Sequence, residues 1–134
     1  MTAMSQARQP VEMEGIWSDA PMKGATTIFQ GALTVAENGL AVPGKVAVGL
    51  TVLGVADRTV KNTGADGAEK VLTKRGTFKF FNHAADAILA GDVGKSAYIV
   101  DDQTVAKTDG AGTRSVAGKI IKVESDGVFV RVGY

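Results

Sequence analysis

Glycine punctuates this chain every few residues, and that spacing constrains the fold more than any other feature. Seventeen glycines stand against three prolines in 134 residues, about twice the usual glycine share. They are scattered rather than clustered. Long helices do not tolerate such interruption, whereas short strands joined by tight turns require it. Cysteine is absent, so disulfides, thiolate catalysis and Cys-ligated metal are excluded, and packing or oligomerisation must hold the chain together. The length suits one domain with one core.

Charge adds little that is specific. The net charge is +1 and charged residues make up 22%, which advertises neither nucleic acid nor a membrane surface as a partner. No apolar run is long enough for a membrane span, and the first residues lack the apolar stretch of a signal peptide. The expectation is a chain made in the cytoplasm, with no nucleic-acid or membrane partner.

Residues 1–24 differ from the rest. They hold all four methionines, Met1, Met4, Met13 and Met22, with the only tryptophan, Trp17, and two prolines, Pro10 and Pro21. Neither a period of 2 nor one of 3.6 runs through them. They read as an extended N-terminal arm carrying apolar anchors. Met4, Val11, Met13, Ile16, Trp17 and Met22 are the candidate partner-binding residues, for a neighbouring subunit or another protein, because large apolar side chains on such a segment gain by burial at an interface.

Residues 25–134 read as the β domain. Residues 26–35 (TTIFQGALTV) form a strand, and Glu37-Asn38-Gly39 a turn. Residues 45–55 (KVAVGLTVLGV) suit a strand buried on both faces. In residues 71–81 (VLTKRGTFKFF), Phe78 and Phe80 point one way and Thr77 and Lys79 the other. Residues 83–90 (HAADAILA) are the one helix candidate, two turns at most, stopped by Gly91. Residues 97–100 and 104–107 pair across Asp101-Asp102. In KIIKVESDGVFVRVGY, an Asp126-Gly127 turn pairs Ser125 with Val128, Val123 with Val130 and Ile121 with Val132. That register turns Ile121, Val123, Val130 and Val132 to the core. The sum is about seven to nine strands and one helical turn, an all-β fold closing as a small antiparallel barrel or sandwich.

Catalytic candidates are few. Gly91-Asp92-Val93-Gly94-Lys95-Ser96 ends like the phosphate loop G-x-x-x-x-G-K-[ST]. Leu89 stands where the first glycine belongs, and the helical turn precedes the strand instead of following it. The segment reads as a turn. His83, the only histidine, and Asp86 can meet at helical spacing as a cap or surface pair. As a hydrolase base, His83 would need a pocket and a serine from Ser96, Ser115 or Ser125. Asp101-Asp102 lacks further oxygen ligands at calcium-loop spacing. The cations Arg58, Lys61, Lys70, Lys74 and Arg75 are diluted by Asp57, Asp66 and Glu69 and have no aromatic ladder, so they read as a solvated face. No catalytic, cofactor or metal site is expected.

Residues 75–132 carry a resemblance. They contain R-G-x-F at Arg75 to Phe78, A-x-D-x-G-K-x-x-Y-x-x-D-D-x-T-V at Ala90 to Val105, and A-G-x-I-x-x-V-x-x-x-G-V-x-V-x-V at Ala117 to Val132. In these the chain resembles tailed-bacteriophage head decoration, or capsid cement, proteins. The middle block is the specific one. The other two are common in β proteins, residues 25–60 agree in style alone, and the arm matches nothing in that family. The resemblance implies a small β-barrel-like virion protein, usually trimeric, on the outer surface of the capsid after assembly in the host cytoplasm. Its partners would be the major capsid protein and itself, and it would need no cofactor. Another β-rich virion component, in the tail or head–tail joint, is the first alternative. A ligand-binding β-barrel module is the second, although aromatics are only 6%.

Overall fold

A computed structural model describes residues 2–134. The glycine spacing yields twelve strands, none longer than nine residues. They are β1 (Trp17–Pro21), β2 (Thr26–Ile28), β3 (Leu33–Glu37), β4 (Leu40–Pro43), β5 (Thr51–Ala56), β6 (Val60–Asn62), β7 (Lys70–Lys74), β8 (Gly76–Asn82), β9 (Ser96–Ile99), β10 (Thr104–Ala106), β11 (Val116–Glu124) and β12 (Gly127–Val132). Strands make up 46% of the structure and helix 5%. The fold is all-β.

Three assemblies result. A five-stranded sheet runs β1-β7-β5-β3-β4, a closed five-stranded barrel runs β10-β8-β12-β11-β9, and β2 pairs with β6. The strand pairs are antiparallel except β8–β10, a short parallel pair that closes the barrel. Arg75 separates β7 from β8, so the stretch 71–81 is two strands, one in the sheet and one in the barrel.

The five-stranded sheet packs apolar side chains from both faces, with its edge strand β1 largely exposed. Leu33, Val35, Val42 and Val55 join the barrel core with Ile99, Val105, Ile120, Val128, Val130 and Val132. Ala41 and Ala56, each adjacent in sequence to one of these, point the opposite way into a second cluster with Met22, Ile28, Ala32 and Val71. This is the period-2 alternation of a strand. Within the stretch 45–55 only Thr51–Ala56 is a strand. Residues 45–50 form a loop with Val46 and Val48 exposed. Ser115, itself buried, fixes that loop: its Oγ donates to the Ala47 carbonyl at 2.7 Å and accepts from the Leu50 N–H at 3.0 Å.

The turn at Asn38-Gly39 joins β3 to β4, both residues at positive φ (52° and 79°), as a type I′ hairpin needs. The helix over 83–90 does not form. Two single 3-10 turns stand there, Ala84–Asp86 and Ala90–Asp92. The Asn82 side chain takes both the N–H and the carbonyl of Ile88 at 2.8 Å, and the Asp86 carbonyl accepts from Lys107. These bonds replace the helical ladder and seat Ile88 in the barrel core.

The last hairpin forms in a different register. Glu124 pairs with Gly127, Val123 with Val128, Lys122 with Phe129 and Ile120 with Val130, with a bulge at Ile121. Val130 and Val132 are buried as expected, but Ile120 replaces Ile121, which is 43% exposed, and Val123 is only half-buried. The central turn residues are Ser125 and Asp126. Gly127 lies in β12, where a Cβ would stand 2.7 Å from the Phe80 carbonyl oxygen. The glycine is needed for close approach to β8 rather than for the turn.

The boundary of the arm also moves. Residues 17–24 belong to the folded body. β1 pairs with β7 from Trp17↔Lys74 to Pro21↔Lys70, and the Arg75 N–H donates to the Ile16 carbonyl. Residues 2–15 pair with no strand.

Candidate interaction surface

The arm residues separate into two groups. Met22 is fully buried in the second core cluster and is not available to a partner. Its expected docking role is corrected to that of a core anchor. The cause is local: the Met22 N–H donates to Glu69, and its carbonyl accepts from Gly67 and from the buried Asn62 amide. Asn62 Nδ2 also reaches the carbonyls of Lys23 and Ala65. An amide with this many partners fixes the root of the arm against its own body. Ile16 is half-buried beside that root. Trp17 is 43% exposed, with Lys74 Nζ 5.1 Å from its ring. Met4, Val11 and Met13 are exposed, Val11 almost completely at 98%.

A second apolar feature lies on the body. The short turn 29–32, closed by the Ala32 N–H on the Phe29 carbonyl, pushes Phe29 outward. In β8, Phe80 faces the core, so its neighbour Phe81 must face out. Three hollows of 300 to 350 Å³ lie along this surface and share Gly31. Phe29 lines the first, Phe81 the second, and Trp17 with Phe78 the third. Gln103 lies between the first two. Phe29 and Phe81 were not among the sequence candidates. The Phe80-Phe81 pair was the available signal, since adjacent strand residues cannot share a face.

The chemistry-bearing candidates sit elsewhere. The turn at Gly94 leads into β9, and the N–H groups of Gly94 and Lys95 donate to the carbonyls of Ile120 and Asp92. A phosphate cradle would need such groups free. Lys95 Nζ stands 3.5 Å from the buried Asp92 carboxylate. The Leu89 N–H and then the nearby Lys107 and Lys95 charges hold that carboxyl below its ordinary range. The Asp86 carboxylate does not bond to the His83 side chain; the link between the two residues is the Asp86 N–H donating to the His83 carbonyl at 3.0 Å. Asp86 Oδ2 accepts from the Thr108 hydroxyl at 2.6 Å, the Thr108 N–H at 3.0 Å and Arg114 at 2.9 Å. These contacts, the hydroxyl first, lower its pKa. Asp86 therefore anchors the 107–114 loop.

Lys79 bridges Glu124 and Asp126, which raises its pKa and lowers theirs. Glu124 thus pairs with both Lys79 and Lys122. Arg131 and Arg75 lie over the Tyr134 ring, at 4.0 Å and 5.7 Å. Among the described residues no group of three or more His, Asp or Glu gathers as a metal-ion set, and no helix is long and apolar enough to cross a membrane. The surface carries an arm with exposed apolar side chains on a hydrogen-bonded root, and aromatic-lined hollows beside that root.

Compared with known proteins, the chain matches no family model, no curated protein and no solved structure.

Proposed function

We propose that this protein is a structural virion component that decorates the outside of a tailed-phage head, as a homotrimer that clamps neighbouring major capsid subunits. The observation that carries the reading is the division of the chain. A β body with a closed barrel stands apart from residues 2–15, which pair with no strand and expose Met4, Val11 and Met13. A clamp across a joint needs this division: a body that does not deform and a segment with free apolar side chains that gains contact area on a neighbour. Several arms on one oligomer multiply weak contacts through effective concentration. The sequence blocks that resemble decoration proteins supply barrel strands, with Ala90 to Val105 giving β9–β10 and Ala117 to Val132 giving β11–β12.

The test is binding to heads assembled from the major capsid protein of the encoding phage or prophage, without this chain. Expected are saturable binding in threefold clusters and heads that resist heat or chaotrope better. A chain lacking residues 2–15 keeps its melting temperature but loses occupancy. Absence of binding, or rings of sixfold or twelvefold symmetry at a tail joint, would sink the proposal.

A further inference from the structure

The barrel leaves part of one strand edge open. β8 pairs with β12 from Gly76↔Val132 to Phe80↔Val128 without a bulge. The N–H groups of Phe81 and His83 point the other way, to the carbonyls of Gln103 and Val105. N–H directions alternate along a strand, so those of Thr77 and Lys79 also point away from β12. β10 covers only Phe81 and Asn82 of that edge. Among the described residues no other segment takes the Thr77 or Lys79 N–H. One step further back, the Arg75 N–H donates to the Ile16 carbonyl. This is the same edge: a Cβ on Gly133, just past β12, would stand 3.1 Å from the Leu53 carbonyl oxygen of β5, so β5 and β12 flank one side of the β7–β8 run, and β1 and β10 the other. The open stretch is thus bounded by the arm root at Ile16 and by Gln103.

The arm has the sequence to fill it. Continuing the β1–β7 register, in which Trp17 meets Lys74, sets Glu14 opposite Thr77, Met13 opposite Phe78, Glu12 opposite Lys79 and Val11 opposite Phe80. Pro10, with no N–H to give, falls opposite Phe81, where Gln103 already holds the edge. Side chains alternate, so Met13 and Val11 share the face of Trp17 and Phe78. Two of the hollows form an aromatic groove along β8 there, and these two arm residues stand 72% and 98% exposed. Glu12 and Glu14 share the outer face with Thr77 and Lys79. Charge does not drive the fit, because Lys79 is already paired with Glu124 and Asp126. The arm leaves this path at Gly15, whose φ of 76° is left-handed.

We infer that residues 11–14 close onto β8 of their own chain as an added edge strand, with Gly15 as the hinge. The root is already bonded, so closing extends an existing ladder with almost no loop to close. A second copy would make the same bonds only after meeting the cost of association. The closed arm covers Val11 and Met13 and the open arm presents them, which switches the arm as a binding element. The inference goes beyond the functional reading and needs no capsid.

Amide exchange of the full chain, followed by NMR at Thr77 and Lys79, tests it. A Cβ at Gly15 would meet nothing within 4 Å, so Gly15→Val acts on backbone conformation alone. It disfavours the left-handed hinge and should slow both amides by about tenfold against wild type. Glu14→Pro in the same background removes the N–H that bonds the Thr77 carbonyl and should abolish the slowing. Glu14→Gln should retain it, and dilution should leave it unchanged. Both amides exchanging at the wild-type rate in Gly15→Val would overturn the inference. So would slowing that survives Glu14→Pro or is lost with Glu14→Gln. Slowing that fades on dilution would put another copy's arm on the edge and overturn it too. No head enters these measurements, so their failure leaves the functional reading standing, and failure of head binding leaves the closure standing.

Discussion

Met22→Ala separates a core methionine from a docking one. Met22 is fully buried among Ile28, Ala32, Ala41, Ala56 and Val71. Truncating a buried methionine costs about 2–5 kcal/mol, lost transfer energy plus the cavity left behind. The alanines in this cluster are too short to move into the space, so relaxation is limited and about 3 kcal/mol is expected. The backbone bonds of Met22 to Glu69, Gly67 and Asn62 survive the change. Unfolding entropy of about 2.1 cal/mol/K per residue gives about 0.25 kcal/mol/K for the folded part of the chain. The melting temperature should therefore fall by about 12 °C. Differential scanning calorimetry measures it, with Met13→Ala as the control. Met13 is 72% exposed, so its loss should cost under about 0.5 kcal/mol, or about 2 °C. If Met22→Ala melts within about 3 °C of wild type while head occupancy falls, Met22 is a docking residue and the assignment of residues 17–24 to the body is wrong.

Other perturbations test the remaining joints. Asn62→Ala strips partners from the carbonyls of Met22, Lys23 and Ala65 and from the Gly64 N–H. It should lower stability by about 3 kcal/mol, read as a lower urea midpoint at unchanged slope. Ser115→Ala frees the Ala47 carbonyl and the Leu50 N–H, which should cost about 1–2 kcal/mol. It should also speed hydrogen exchange at Leu50, with β11 staying protected. The Asp86 carboxyl has a folded pKa below its unfolded value of about 3.9. Its contribution is therefore present above that value and lost as pH falls through the folded pKa. Asp86→Asn should flatten the acid limb of melting temperature against pH, and a limb unchanged in shape would show that Asp86 carries none of it.

What the sequence disclosed follows from which forces are local. The Asn38-Gly39 hairpin was legible because both residues must adopt positive φ, and few other residue pairs do so cheaply. The alternation of Phe78 and Phe80 was legible because a strand's period is intrinsic. The helix over 83–90 was misread because Asn82 and Asp86 spend their bonds on Ile88, Lys107 and Thr108, and the last two lie on a loop some twenty residues away. Met22 looked like an anchor for a partner because nothing near it in sequence shows that Asn62 and Val71 will enclose it. The groove was invisible for the same reason. Phe29, Phe81 and Trp17 come from three separate segments and line neighbouring hollows only once the 29–32 turn, β8 and β1 are in place.

The terminal hairpin shows how one signal can serve two forces. Asp-Gly is a strong hairpin pair because glycine accepts positive φ. Gly127 does not have positive φ; it is glycine because β8 passes too close for a side chain. The turn moves one residue earlier, to Ser125-Asp126, which shifts the pairing by two residues and by itself leaves the same β11 side chains facing the core. The bulge at Ile121 switches the faces beyond it, so Ile120 rather than Ile121 meets the core. The displaced Ile121 becomes part of the outer surface. Asp126, no longer paired with a turn glycine, joins Glu124 in holding Lys79 beside the aromatic groove. The bulge thus sets which face of β11 meets the core, and the turn places a paired, rather than a free, cation at the Phe81 end.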